Sequence, residues 1–352
     1  MPNVRFAPFD RTIECAEGVP ILSAALSQGY FLRYGCKHGG CGTCKALVIE
    51  GDIEDSGSSF ALTHADRSDG WTLLCSSQPL SDCVIDISAM GLTDEEFQAG
   101  DQVETFETMI ERVTDLTPTI CGVTLRLVNP PEMRFTAGQF VNVEVPGADG
   151  IRAFSMANAP SANSEIELIV RLFPGGRFGE YLKHAEKGQV IRVSGPVGSL
   201  RVRLSYRKII MIAGGSGMAP LLSMLTDLTE KNDRRPVTVF FGARTCDELY
   251  YIDRLKALCS LSAHAEFVPV VQDAGDDWNG ERGLVTDAIA RRMHSLRGYD
   301  AYLCGPPPMV EAARALVIQL GVRDANAYFD AFVPTGVAPP SAPAAETSTA
   351  RP

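Results

Sequence analysis

The sequence predicts a multidomain protein built from an α+β unit, an antiparallel β-barrel and an α/β unit with a parallel sheet, in that order. At 352 residues the chain is roughly two to three times as long as a usual domain. Its first part mixes short strands with one helical pattern over residues 20–28. From residue 107 onward, short strands separated by Gly and Pro turns recur at even spacing, which is typical of a barrel. From residue 208 onward, apolar strands alternate with helical stretches at 218–230, 247–259, 283–294 and 307–320, which predicts a parallel sheet.

The limits of the domains follow from these changes of pattern. The α+β unit is predicted over residues 1–95, and the acidic stretch 96–106 is the predicted linker. The barrel is predicted over 107–205 and the α/β unit over 206–333. The tail 334–352, which is rich in Pro, Ala, Ser and Thr, is predicted to be disordered.

The composition, with 45% hydrophobic and 21% charged residues, is that of an ordinary soluble protein. No apolar run approaches the roughly 18 residues of a membrane span, and the first residues lack the features of a secretory signal. We therefore expect a cytoplasmic protein whose ten cysteines are not disulfide-bonded. The net charge of −11 argues against a nucleic-acid partner. Residues 1–95 carry 6 Lys and Arg against 13 Asp and Glu, an acidic surface that serves either solubility alone or docking to a basic site.

Four cysteines have the spacing of an iron-sulfur site. Cys36-x4-Cys41-x2-Cys44, with Cys75 further along the chain, matches the ligand spacing of plant-type [2Fe-2S] clusters, and four thiolates complete the ligand set. The glycines of this loop allow it to fold tightly round the inorganic sulfides. Zinc and chance are the alternatives, but structural zinc sites favour two close pairs of cysteines. Cys83 is the one rival fourth ligand, and its strand-like surroundings favour a buried thiol.

Two motifs in the barrel segment are suited to a phosphorylated ring cofactor. Arg152, Phe154 and Ser155 lie at the start of a strand. A guanidinium pairs with phosphate, an aromatic side chain covers an apolar ring face, and a hydroxyl bonds to a ring nitrogen. Residues 175–179, Gly-Gly-Arg-Phe-Gly, open the one helix predicted in the barrel. Each motif taken alone is more often a surface charge or a turn.

The α/β segment contains a glycine loop in the context that phosphate binding requires. Residues 213–220, Ala-Gly-Gly-Ser-Gly-Met-Ala-Pro, follow a strand and lead into a helix. Pro220 occupies the third glycine position of the Rossmann fingerprint, where it suits a first helical turn but not close packing of helix on strand. Residues 304–309, Cys-Gly-Pro-Pro-Pro-Met, end a later strand at the carboxyl edge of the sheet, where ligands of such folds bind. Taken separately, Cys304 is equally consistent with a buried thiol, and the prolines with a rigid turn.

In this order, the cysteine loop, RAFS, GGRFG, GGSGMAP and CGPPPM resemble the reductase components of bacterial multicomponent oxygenases, within the ferredoxin-NADP reductase superfamily. The resemblance covers residues 3–333. It implies a β-grasp ferredoxin domain with a plant-type cluster, an FAD-binding barrel and a nicotinamide-binding domain. Residues 242–245, GART, followed by CDELYYIDRL, resemble more specifically the diiron monooxygenase systems that act on phenols, alkanes or alkenes.

The resemblance also implies roles for individual residues. Arg152 contacts flavin phosphate and Ser155 lies near flavin N5. Cys304 lies beside the nicotinamide, and a C-terminal aromatic residue, Phe329 or Phe332, covers the flavin. The flavin-binding residues are then Arg152, Phe154, Ser155, Val170, Gly175, Gly176, Phe178, Gly179 and Phe329. The nicotinamide-binding residues are Gly214, Gly215, Gly217, Met218, Pro220, Arg244, Asp273, Cys304, Gly305, Pro306 and Met309. Ser155, Cys304 and Phe332 are the predicted catalytic residues.

The implied reaction is hydride transfer from NADH to FAD, followed by transfer of single electrons through the cluster to the hydroxylase of a monooxygenase. NADH is favoured over NADPH because Asp273 would repel a 2′-phosphate, although Arg244 would attract it. The acidic N-terminal unit is the expected surface for the oxygenase. Two alternatives stay open: the reductase of a ring-hydroxylating dioxygenase, and a non-catalytic iron-sulfur carrier or redox sensor whose barrel has lost its flavin.

Overall fold

The computed structural model describes residues 1–35, 37, 39–40, 42–55, 61–98, 103–147, 151–262 and 264–333. Two of the four predicted cluster ligands, Cys36 and Cys41, and the tail 334–352 lie outside the described residues. Across the described ranges, every helix is too short or too polar to cross a bilayer.

The N-terminal unit is an α+β fold built on a five-stranded mixed sheet. Its elements are β1 (Asn3–Ala7), β2 (Arg11–Glu14), α1 (Ile21–Ser27), β3 (Lys45–Glu50), β4 (Ile53–Asp55), α2 (His64–Ser68), β5 (Trp71–Leu73), β6 (Ser77–Pro79), β7 (Cys83–Asp86) and α3 (Asp94–Gln98). The strand order is β2-β1-β7-β3-β5, and β4 and β6 form a separate pair. Alternation along β1 buries Val4 and Phe6, which pack in one cluster with Ile21 and Leu22 of α1. The chain between α1 and β3 carries the cysteine loop.

The segment after the first unit differs from the predicted linker 96–106. Helix α3 covers its beginning, and Phe97 is fully buried, with its ring centroid 5.6 Å from that of Phe6 and 5.0 Å from that of Tyr30. The next strand begins at Glu104. One aromatic residue in an acidic stretch creates no periodicity, and so the sequence pattern did not reveal that Phe97 belongs to the core.

The middle unit is a six-stranded antiparallel barrel. Its elements are β8 (Glu104–Thr117), β9 (Ile120–Asn129), β10 (Phe140–Glu144), β11 (Ile151–Ser155), β12 (Glu165–Arg171), α4 (Arg177–Leu182) and β13 (Val190–Val197). The strand order is β11-β10-β13-β8-β9-β12. A bridge between Met156 and Leu168 joins the two outer strands and closes the barrel. Inward-facing residues such as Val141 and Leu168 form its core.

The last unit is a parallel six-stranded sheet with helices between the strands. Its elements are β14 (Lys208–Gly214), α5 (Met218–Glu230), β15 (Val237–Ala243), α6 (Ile252–Ser260), β16 (Ala265–Val271), β17 (Glu281–Arg282), α7 (Val285–Arg292), β18 (Tyr299–Gly305), α8 (Pro307–Gln319) and β19 (Ala327–Ala331). The strand order is β17-β16-β15-β14-β18-β19. The chain therefore reverses its direction of winding between β14 and β18, and the crevice at their carboxyl ends is the place where such sheets bind ligands.

Candidate functional site

A cavity of about 1020 Å³ lies between the barrel and the α/β unit. Its volume is at the upper end of the range for small-molecule and cofactor sites. The barrel contributes Phe140, Arg152, Ala153, Phe154, Ser155, Ile169, Val170, Arg171, Phe173, Pro174, Gly175, Gly176, Arg177, Phe178 and Gly179 to its lining. The α/β unit contributes Gly214, Gly215, Ser216, Gly305, Pro306, Pro307, Asp330, Ala331, Phe332 and Val333. The motifs that the sequence singled out in two separate units thus form one cavity.

The barrel side of the cavity combines cationic, aromatic and hydroxyl groups. Arg152 and Arg177 supply two guanidinium groups, and the rings of Phe154 and Phe178 pack with centroids 5.1 Å apart. Ser155 is buried at the end of β11. Gly175 has φ +72°, and a Cβ added there would meet nothing within 4 Å, so the backbone is open to a close-lying ligand. This donor set fits a molecule that carries both phosphates and an apolar ring system.

On the α/β side, glycines allow two loops to pack directly against each other. A Cβ on Gly217 would overlap the Cys304 carbonyl, and a Cβ on Gly305 would lie 2.7 Å from the Gly214 carbonyl oxygen. The Tyr250 hydroxyl donates a hydrogen bond to the Gly215 carbonyl at 2.8 Å and holds the glycine loop from behind. The two loops therefore form one continuous wall at the crevice between β14 and β18.

Four predicted nicotinamide-binding residues support this wall without lining the cavity. Met218 and Pro220 are buried in the first turn of α5, and Met309 packs its sulfur against Gly214. Cys304 is fully buried at the end of β18, and burial raises the pKa of its thiol well above the usual value. Cys304 is thus a neutral thiol at physiological pH.

Arg244 and Asp273, which gave opposite indications about the nucleotide, bind each other. Arg244 follows β15 and Asp273 follows the neighbouring strand β16, with Nε and Oδ2 3.1 Å apart. The backbone N–H of Arg244 also donates to Glu248 at 3.1 Å. Both partners of the ion pair are largely exposed at the carboxyl edge of the sheet, outside the lining of the cavity.

Of the two C-terminal aromatic residues, Phe332 lines the cavity and Phe329 does not. The N–H of Phe332 donates to the Gly305 carbonyl at 2.8 Å, just beyond the end of β19. Phe329 pairs in register with Leu303, and the Arg314 guanidinium of α8 lies 5.2 Å from its ring. The prediction of Phe329 as a flavin contact is therefore not supported by its position, because its strand register directs the ring toward α8.

Most of the described residues of the cysteine loop are buried or half-buried. Cys44 and Cys75 are both buried, and the N–H of Leu74 donates to the Cys44 carbonyl at 3.1 Å, which brings the two ligand segments together. Gly42, next to one predicted ligand, has φ +69°, a conformation that favours glycine. The Cys83 sulfur instead lies 3.1 Å from the Ser81 carbonyl within β7, in agreement with a buried thiol. Gly40 of the loop lines the same cavity as the barrel motifs.

Comparison with known protein families divides the chain in the same order. Residues 4–80 match the 2Fe-2S iron-sulfur cluster binding domain, residues 108–202 the oxidoreductase FAD-binding domain, and residues 211–315 the oxidoreductase NAD-binding domain. The reductase component of phenol 2-monooxygenase from Pseudomonas sp. strain CF600 is 40% identical over 94% of both chains. The chain belongs to the family of monooxygenase reductase components.

Other relatives agree with this assignment. The reductase component of propane 2-monooxygenase from Mycolicibacterium smegmatis is 34% identical over 94% of this reductase and 97% of the relative. The crystal structure of a cytochrome P450 reductase from Amycolatopsis superposes with a TM-score of 0.75 at 28% identity, over 95% of this reductase and 99% of that chain. The predicted fold class is thereby confirmed for all three units.

The reductase is an NADH-dependent oxidoreductase that uses FAD and a [2Fe-2S] cluster, and it transfers electrons from NADH through FAD to the cluster. The predicted cofactors are confirmed. The open cavity argues against the alternative of a carrier whose barrel has lost its flavin site. The roles of individual residues and the limits of the domains stay predictions.

Two charged residues of the cavity were not anticipated. Arg171 is the last residue of β12, and its guanidinium lies 3.1 Å from a Cβ built on Gly215. Asp330 lies in β19, and its segment was considered for its aromatic residues alone. A cation at the end of the strand IELIVR was a usable signal for Arg171, whereas nothing in the pattern distinguished Asp330 from a surface carboxylate.

Proposed function

We propose that the reductase delivers electrons singly to the oxygenase component of a multicomponent monooxygenase that acts on a phenol, alkane or alkene. The observation that carries the proposal is that Gly40 of the cluster loop and the flavin motifs line one cavity. A flavin bound at these motifs would therefore lie beside the cysteine loop. The named relatives act with phenol and propane monooxygenases, which supports this class of acceptor.

The residues of the chain bind, orient and shield the reacting groups. Bound FAD supplies the exchange between two-electron and one-electron chemistry, and the cluster supplies one-electron transfer. Arg152 and Arg177 would neutralise phosphate charge, and the Ser155 hydroxyl would form a hydrogen bond with the flavin ring system. Phe332 covers the cavity, and the neutral thiol of Cys304 packs behind the loop that holds the nicotinamide.

The acidic N-terminal unit is the proposed docking surface, because it carries 6 Lys and Arg against 13 Asp and Glu over residues 1–95 and also holds the cluster. Complementary charge speeds association and selects partners more than it adds affinity. A reducing compartment suits both thiolate ligands and an NADH supply, and we place the reductase in the cytoplasm.

The route is tested with NADH, cytochrome c as one-electron acceptor, and the variant Cys75→Ala. We expect NADH to bleach the flavin of the variant as in the wild type. The rate of cytochrome c reduction should fall by at least about tenfold, because a [2Fe-2S] cluster needs four ligands. Cys83→Ala, which removes a buried thiol outside the ligand set, is the matched control and should retain both activities. Cytochrome c reduction at the wild-type rate by Cys75→Ala would contradict the route.

A further inference from the structure

A polar residue of the barrel contacts the iron-sulfur loop at a buried position. Asn142 is the central residue of β10, where Val141 and Val143 face the barrel core and Asn142 faces outward. An outward-facing residue of a barrel strand is normally wet, yet Asn142 is only 2% exposed. Its side-chain Nδ2 donates to the carbonyl of Gly35 at 3.4 Å, across 107 residues of sequence. Gly35, at the start of the cysteine loop, therefore lies against this face of the barrel.

The neighbours of Asn142 belong to the cavity. Asn142 pairs in register with Ala153 of β11, and Phe140 lies two residues earlier on the same face of β10. Ala153 and Phe140 both line the cavity, as does Gly40 from the iron-sulfur loop. The contact between Asn142 and Gly35 thus lies where the flavin site and the iron-sulfur loop meet.

The choice of an amide at this position has an energetic cost that an apolar residue would avoid. The Asn142 Oδ1 atom is buried and has no hydrogen-bond partner among the described residues. Burying an unpaired polar atom carries a desolvation cost that no bond offsets. The donated bond to Gly35 is the interaction that an apolar residue of the same size would lose. Gly35 is the residue directly before Cys36, the first predicted ligand.

We propose that Asn142 is a positioning residue for electron transfer from the flavin cavity to the cluster. Its amide holds the Gly35 carbonyl, at the start of the cysteine loop, against the outer face of the barrel beside the cavity. Asn142 lies outside the sequence motifs that resemble the family, and it acts on the transfer of electrons from flavin to cluster. It depends on flavin-to-cluster transfer, which the Cys75→Ala experiment tests separately.

The test compares Asn142→Leu, which keeps the volume and removes the donor, with wild-type holoprotein in stopped flow. We expect flavin reduction by NADH to stay within about twofold and cluster reduction to slow by about tenfold, since the Gly35 carbonyl loses its partner and the docked arrangement is less populated. The electron paramagnetic resonance spectrum of the chemically reduced cluster should also shift, because hydrogen bonds around such a site influence its electronic structure.

Thr108→Val is the matched control. Thr108 is a fully buried polar residue of β8 whose hydroxyl donates to the Ile191 carbonyl at 2.7 Å, entirely within the barrel. It should lower the stability of the barrel without separating the two rates. Cluster reduction at the wild-type rate in Asn142→Leu would overturn the proposal. So would a result in which flavin reduction and cluster reduction slow by the same factor in Asn142→Leu, as they do in Thr108→Val. If Asn142→Leu does not retain its cofactors, Asn142→Ala serves for the same measurements.

Discussion

Two phenylalanines three residues apart lie in different environments at the C-terminal strand. Phe332 is half-buried at the cavity, whereas Phe329 lies against the Arg314 guanidinium and the α8 side of the sheet. Both are aromatic, and both belong to the segment YFDAF, residues 328–332. Their separation makes them a natural pair for distinguishing cofactor contact from structural support.

We expect Phe332→Ala to weaken flavin binding by about tenfold, because a buried aromatic contact contributes about 1–3 kcal/mol to an apolar ring. Phe329→Ala should lower the thermal midpoint of the α/β unit and leave flavin affinity unchanged. Flavin fluorescence in the flow-through after dilution and filtration measures the loss. Equal retention of flavin by the two variants would refute the assignment of Phe332.

At the scale of residues, the sequence predicted which chemical groups lie at the cavity better than it predicted which way each side chain points. Arg152, Ser155 and the glycines of both loops were predicted from residue type and context, and all lie at or beside the cavity. The choice between Phe329 and Phe332 depends on strand register, which a single apolar run does not encode. Asn142 had no signal, because its partner Gly35 is remote in sequence and in a different unit.

At the scale of elements, the parallel packing of β15 and β16 determines how Arg244 and Asp273 interact. Parallel neighbours end at the same edge, and so the two side chains that follow them form an ion pair with atoms 3.1 Å apart. The Asp273 carboxylate pairs with the Arg244 guanidinium, which would otherwise be free to bind phosphate. We therefore expect the ion pair at the ends of β15 and β16 to determine whether NADH or NADPH is preferred.

Asp273→Asn should lower the KM for NADPH by about tenfold while the kcat with NADH changes little, because Arg244 becomes available to a 2′-phosphate. Steady-state kinetics with both nucleotides measure the change. Asp276→Asn, an exposed carboxylate on the same loop with no ion-pair partner among the described residues, controls for net charge. An unchanged NADPH preference in Asp273→Asn would show that Arg244 does not reach the nucleotide.

Periodicity predicted most elements but not their interruptions. Helix α5 was expected over residues 218–230 and is found at Met218–Glu230. Helix α6 was expected from residue 247 and begins at Ile252, because Tyr251 before it has φ +54° and a short 3-10 turn precedes that residue. The surroundings hold a bulky residue in the left-handed region. Here the ring of Tyr251 packs against that of Tyr250, whose hydroxyl is bonded to the glycine loop.

At the scale of the whole molecule, burial of thiols links stability to alkaline pH. Cys121 lies in the core of the barrel and Cys259 in that of the α/β unit, and burial raises the pKa of each thiol to about 11. The folded protein therefore favours the neutral thiol more than the unfolded chain does. This contribution to stability is present below the unfolded pKa of about 8.5 and is lost as the pH rises through about 11.

The free energy of unfolding should accordingly fall between about pH 9 and 11 by about 2–3 kcal/mol per thiol. A Cys121→Ala, Cys259→Ala variant should be less stable at neutral pH but show a shallower decline. Thermal midpoints by circular dichroism across this range measure the slope. Cys246→Ala, at an exposed cysteine, is the control and should keep the wild-type slope. The same slope in all three proteins would remove thiol ionisation as the cause.

The order in which the cavity wall is made has a consequence for biosynthesis. Strand β19 is the last described strand, and the cavity includes residues 330–333, which follow the barrel by more than a hundred residues. While the ribosome is still making the α/β unit, the barrel motifs already exist but face an open half-site. The wall of the cavity is therefore complete only after translation has passed residue 333, and a chain that stalls earlier lacks the residues that cover one side of the flavin site.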